Sequence, residues 1–305
     1  MPSLLEEREE ALAELGGGMH PGIVGTASRG AGVWKAHRVQ NDLLAYYGLG
    51  AEPARLDTGV GALEYDRTRE IVTRFLQPES DVADVGGADG RYAAWLADLG
   101  HRVDLVEPVS LHVELARDRA GDPPRFNIHE GDARALPLAS ESMDAVLLLG
   151  PLYHLGELAD RLQALREAAR VCRPGGFVFA AAISRFAPLL DTIRRGRVGD
   201  EALFDNVLDE TASGRRVPAE RRTSPFPDSY FHLPEELEEE IAGSGLQLDT
   251  IYGLEGPGSL LHDRDPAWDD QSVLERLIRA ARLVETDAHL IAVSAHLLAV
   301  ARRTV

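Results

Sequence analysis

Between Asp81 and Ile183 the chain alternates short apolar runs with amphipathic stretches, and that alternation restricts the fold more than any other feature. It predicts strands at 81–85, 102–106, 126–130, 143–149 and 177–183, with helices between them at 91–99, 111–120 and 157–171. The runs 145–149 and 177–183 lack polar alternation, as strands covered on both faces should. Strands joined through helices run parallel, so the expected fold is α/β, a doubly wound, Rossmann-like sheet. A helix at about 63–75 leads into it, with Leu63, Thr68, Ile71, Val72 and Phe75 on its apolar face. Further on, the pattern predicts helices at 185–195, 234–241 and 272–284, and strands at 246–252 and 291–300.

The flanks are less regular. Ser3 and Glu6 form a capping-box spacing ahead of Leu5, Leu12 and Leu15, and Gly16, Gly17 and Gly18 would stop that helix. Residues 1–40 therefore read as an N-terminal helix and glycine-rich linker, and 41–305 as one domain. The N-terminal helix has a face that suits either a second copy of the chain or its own domain, so homo-oligomerisation stays open. Residues 196–229 carry several Gly and Pro without a clean period and read as part of a lid insertion spanning about 184–233.

Charge narrows the function. Thirty-two Lys and Arg against fifty Asp and Glu leave −18, which gives nucleic acid or anionic lipid little to bind. Cys172 is the only cysteine, so no intramolecular disulfide and no cysteine-built zinc site is expected. Residues 2–15 are acidic where an export signal needs a basic start, and no stretch is apolar for about twenty residues. The expectation is a cytoplasmic protein with no membrane span, no nucleic-acid partner and no metal.

The chemistry concentrates at Asp84-Val85-Gly86-Gly87-Ala88-Asp89-Gly90, the turn between the first strand and its helix. Glycine there lets a ligand approach the backbone, and the helix start offers free N–H groups. Glu107 ends the next strand, where a carboxylate can accept both hydroxyls of a ribose. A dinucleotide fingerprint, G-x-G-x-x-G, would place glycines at 86, 88 and 91, and two of those positions fail.

The arrangement resembles motif I of class I S-adenosylmethionine-dependent methyltransferases, acidic-x-Gly-x-Gly-x-Gly, through Asp84, Gly86 and Gly90, with Ala88 in place of the middle glycine. Glu107, Gly131-Asp132-Ala133 and Arg173-Pro174-Gly175-Gly176 follow in the family's order, and 149–155 is similar to small-molecule methyltransferases of the type 11 group. The resemblance implies a mostly parallel seven-stranded sheet with an antiparallel last strand. It also implies S-adenosylmethionine as cofactor, held by Asp84, Gly86, Gly87, Ala88, Gly90, Glu107, Pro108, Asp132, Ala133, Leu149 and Gly150. Within it, Arg173–Gly176 reads as a helix stop and turn.

Methyl transfer asks mainly for alignment and exclusion of water, and for a base only where the acceptor is protonated. Tyr153 and His154, just past the fourth strand, are the catalytic candidates, joined by His232 after the lid. His296 reads as a satisfied histidine inside the last strand. Tyr46, Tyr47, Arg55 and Arg67 lie where such enzymes fold over the methionine end of the cofactor. The stretch 194–222 holds seven arginines against six carboxylates, which reads as a solvated mixed-charge lid. The leading expectation is methyl transfer to a small organic acceptor. An NAD-dependent oxidoreductase and a non-catalytic nucleoside-binding protein remain the alternatives.

Overall fold

The period-two burial of the central strands explains why their sequences look uniformly apolar. Ala83, Val85, Val146, Leu148, Val178 and Ala180 point to one layer of core, while Val82, Leu105, Ala145, Leu147 and Phe179 point to the other. Both faces are covered, so neither needs polar residues. The computed structural model describes residues 55–222 and 226–304. The expected N-terminal helix and linker, Tyr46 and Tyr47 lie outside the described residues.

The strands are β1 (Asp81–Val85), β2 (Arg102–Glu107), β3 (Asn127–Glu130), β4 (Met143–Leu148), β5 (Cys172–Ser184), β6 (Phe231–His232), β7 (Leu246–Gly253) and β8 (His296–Arg303). Their order is β3-β2-β1-β4-β5-β8-β7, with the two-residue β6 paired to β5 off that path. β8 runs antiparallel to both β5 and β7, and the pairings among β1 to β6 are parallel. The expected seven-strand path with an antiparallel last strand is thus present, with β6 as an added stub.

The helices are α1 (Gly59–Thr73), α2 (Arg91–Asp98), α3 (Ser110–Ala120), α4 (Pro151–His154), α5 (Leu158–Val171), α6 (Ala187–Arg194), α7 (Glu201–Ser213), α8 (Pro234–Ala242) and α9 (Gln271–Val284). α5 and α8 cover one face of the sheet through Ala164, Leu165, Leu237 and Ile241. α1, α2 and α3 cover the other through Ile71, Val72, Trp95, Leu96 and Ala116.

Three expectations change. Arg173–Gly176 does follow the end of α5 and turns through Gly175 at φ +80°, but it lies inside β5 as a bulge, because β4 pairs with Cys172 and next with Phe177. The stretch read as lacking a period contains α7, which is started by the Asp200 side chain accepting from the Leu203 N–H. Only Asn206, Val207 and Glu210 of that helix are buried, too few to leave a periodic signal. The last strand begins at His296, because 291–293 forms a 3-10 turn.

Candidate active site

Strand order reverses at β1, whose neighbours are β2 and β4, and this opens a crevice beyond the strands' carboxyl ends. There the chain turns through Gly86–Gly90 into α2. Gly86 has φ +69°, and a Cβ on it would lie 2.9 Å from the Pro151 ring. Gly87 packs against Asp84 so closely that a Cβ would stand 2.5 Å from Oδ2. Ala88 takes the left-handed conformation without being glycine, φ +48°, at a cost of about 1 kcal/mol. Its N–H donates to Glu107 Oε2 at 3.0 Å, which ties the turn to the next strand.

Asp84 is buried, and neither carboxylate oxygen has a hydrogen-bond partner of ordinary geometry. Loss of solvent pushes its carboxyl up to about 7. The negative charges of Glu107 and Asp89 add to the shift, and the backbone N–H of Ala93 works against it. Glu107 is also buried, but its oxygens are occupied unequally. Oε1 accepts from Val109 N–H at 3.0 Å and lies 3.3 Å from His112 Nδ1, whereas Oε2 accepts, among the described residues, only the Ala88 N–H. A carboxylate oxygen has two acceptor sites, so Oε2 retains one for a hydroxyl. Pro108 leads from Glu107 to Val109, the residue capping α3.

Asp132 follows β3 and is partly exposed. Arg134 clasps it, with backbone N–H and Nε on Oδ1 at 2.8 and 2.9 Å and Nη2 on Oδ2 at 2.6 Å. Burial alone would raise the carboxyl, but the Arg134 contacts outweigh it and hold the group below its usual range. Ala133 beside it is buried. The clasp by Arg134 has no motif signature; only the folded loop after β3 makes it visible.

Leu149 packs against the sheet and Gly150 caps α4, which carries Tyr153 and His154. A Cβ on Gly150 would lie 3.6 Å from the Tyr153 hydroxyl and 3.5 Å from the Gly86 carbonyl, so both groups flank Gly150. Tyr153 also lines a cavity of about 660 Å³ shared with Ile183, Pro188, Leu190, Phe226, Phe231, Val293 and His296. Neither His154 nor His232 is part of that wall.

His154 is buried 4.6 Å from the Tyr153 ring, and desolvation pulls its imidazole down to about 3. His154 thus packs beside Tyr153 and Phe226, outside the cavity wall. His232 is buried, 3.3 Å from Glu240, whose carboxylate is also held by Arg161. It belongs to the packing between β6, α5 and α8 and does not close over the cavity as expected. Arg67 is fully buried and paired with Glu70 and Glu285, whereas Arg55 lines the cavity and pairs with Glu64.

Residues 83–180 match the methyltransferase domain family Methyltransf_11. Methyltransferase GfsG of Streptomyces halstedii is 33% identical over 162 residues, which cover 52% of this chain and 54% of that protein. The mouse tRNA (carboxymethyluridine(34)-5-O)-methyltransferase ALKBH8 is 34% identical over 103 residues, 34% of this chain and 14% of the relative. The chain thus spans about half the length of GfsG and less of ALKBH8. Burkholderia thailandensis 1,6-didemethyltoxoflavin-N1-methyltransferase, solved with 1,6-didemethyltoxoflavin and S-adenosylhomocysteine, shares the fold with a TM-score of 0.56 at 15% identity, over 93% of this chain and 94% of that one. Residues 83–180 thus match a methyltransferase domain, and the fold around them is shared with a solved methyltransferase.

Proposed function

We propose that this protein transfers a methyl group from S-adenosylmethionine to a small organic acceptor. The observation that carries the reading is the set of carboxylates at the ends of β1, β2 and β3, with a glycine turn among them. Asp84 has two buried oxygens without ordinary partners and Glu107 Oε2 has a spare acceptor site, as a hydroxyl- and amine-bearing nucleoside needs. These residues fit the cofactor: glycine at 86 and 87 lets the turn pack closely on Pro151 and Asp84, Glu107 would take the ribose hydroxyls and Asp132 the adenine amino group.

When bound, S-adenosylmethionine supplies an electrophilic methyl group on a sulfonium. The chain orients the partners and keeps water out, with Tyr153 on the wall of the acceptor cavity. A space of about 660 Å³ suits a small molecule. A relative named for tRNA methylation raises a nucleic-acid acceptor, but a formal charge of −18 opposes polyanion binding. Among the described residues no helix is long and apolar enough to cross a membrane.

Calorimetric titration with S-adenosylhomocysteine tests the reading. Wild type should bind, and Glu107→Gln should bind about tenfold to a hundredfold more weakly through loss of charge-assisted hydrogen bonds. Equal affinities would remove Glu107 from the site, and no binding to wild type would sink the proposal.

A further inference from the structure

The stretch 194–222, rich in both arginines and acids, folds so that Arg194, Arg195, Arg197 and Arg216 line the cavity together with Arg55. Each of these arginines already holds an acid. Arg194 and Arg195 share Asp191 and Asp263, which line the space themselves. The other acids stand outside the wall. Glu64 accepts from Arg55 Nη1 and Nη2 at 2.5 and 3.1 Å, and Asp200 from Arg197 Nη2 at 3.0 Å. Both oxygens of Glu210 accept from Arg216 Nη1, at 2.9 and 3.1 Å. His296, on the same wall, has Nδ1 2.5 Å from the buried Glu255.

Burial separates the acids that are costly to place from those that are not. Glu210, on α7, has no exposed surface, and Glu64, on α1, is buried as well. A carboxylate taken out of water is destabilising unless it is paired and hydrogen-bonded. Glu210 meets both conditions, because the Val217 N–H donates to Oε1 at 3.2 Å while Arg216 holds the carboxylate. The Arg197–Asp200 pair is half-exposed and contributes less.

The rest of the lining is mostly apolar, with Val60, Ile183, Leu190, Phe226, Phe231 and Val293 in it. An ion entering this space would shed its water and find every arginine of the wall already neutralised. An uncharged apolar body exchanges water for hydrocarbon and loses nothing.

We propose that the acceptor is an uncharged molecule with an apolar body, and that the acids paired with the wall arginines, Glu210 above all, set this preference. The statement rests on the methyltransferase reading above and names its substrate class. Glu210 does not line the cavity, so it acts through Arg216 on the charge that the acceptor meets. Removing one such acid leaves one wall arginine uncompensated. An anion then gains affinity, while an uncharged molecule of the same shape does not.

The test uses the full chain and two fluorescent probes with one body: uncharged N-phenyl-1-naphthylamine, and 8-anilinonaphthalene-1-sulfonate, which adds a sulfonate. Titrations are made at about 0.3 M salt, which screens the field of the net charge of −18. The wild type should bind the uncharged probe about tenfold more tightly. Glu210→Gln should tighten sulfonate binding about tenfold and leave the uncharged probe within about twofold. Adding Arg216→Gln should restore the wild-type ratio, which loss of packing alone would not do. Asp263→Asn, at a partly exposed position, leaves Arg194 and Arg195 with Asp191 alone and should shift the ratio the same way, so the test stands even where Glu210→Gln fails to fold. Val293→Trp, which fills the cavity, should weaken the uncharged probe about tenfold. A wild type that prefers the sulfonate, or acid-to-amide variants with the wild-type ratio, overturns the proposal. So does probe binding that Val293→Trp leaves unchanged. Failure of the wild type to bind S-adenosylhomocysteine would instead remove the methyltransferase reading and leave these ratios as measured.

Discussion

Asp84→Asn should stabilise the protein above neutral pH while weakening the cofactor site. The Asp84 carboxyl is buried without ordinary hydrogen-bond partners and titrates at about 7 instead of 3.8. Its folded-state value is raised, so the folded protein holds a proton that the unfolded chain has already released. Stability is therefore undiminished below the unfolded value and falls as pH rises between the two. At 1.36 kcal/mol per unit, the fall reaches about 4 kcal/mol by pH 8. The carboxamide escapes this titration but remains a buried polar group, which costs about 1–2 kcal/mol. The net gain at pH 8 should be about 2 kcal/mol, shrinking to zero or reversing near pH 4. Urea denaturation of both proteins at pH 4.5 and 8, with S-adenosylhomocysteine absent, measures it. A difference that does not change with pH would refute the reasoning, because Asp84 would then be satisfied in the folded state. A trade of stability for function is expected where a site holds a polar group ready for a ligand.

Gly87→Ala should cost about 1–3 kcal/mol and lower S-adenosylhomocysteine affinity, because the new methyl group would meet Asp84 Oδ2 at 2.5 Å and Leu105 Cδ1 at 2.9 Å. Thermal denaturation and calorimetry report the two effects, and an unchanged melting temperature would refute the close packing. Arg161→Met should cost about 3–5 kcal/mol, since it strands the buried Glu240 carboxylate that Arg161 holds at 2.7 Å. Adding Glu240→Leu should recover most of that loss in urea denaturation. A single substitution costing under about 1 kcal/mol would show that the pair is not needed between α5 and α8.

The central strands were legible because burial on both faces leaves an apolar run whatever the partners are, and β1 has the bounds its sequence predicts. The glycine turn was legible for a similar reason: Gly86 answers to its own backbone conformation and Gly87 to Asp84, three residues away. α7 escaped detection because its start rests on one cap and its apolar face is narrow. Tyr153 was singled out from its position after β4, and it lines the cavity. His154, its neighbour, differs from it in burial, which no one-dimensional pattern distinguishes.

The sequence by itself determined the alternation of strand and helix, the loop able to approach a nucleoside and the acids at the ends of β1 and β2, because each depends on short-range periodicity and backbone freedom. Tertiary structure decided the surroundings of each histidine. His154 and His232 lie in packed interiors, while His296, 142 residues after His154 in the chain, meets Glu64 from α1 and Glu255 from the loop after β7 at the wall of the cavity. The reason is physical: proton affinity follows desolvation and the charges within a few ångströms, and both are set by segments that only folding brings together.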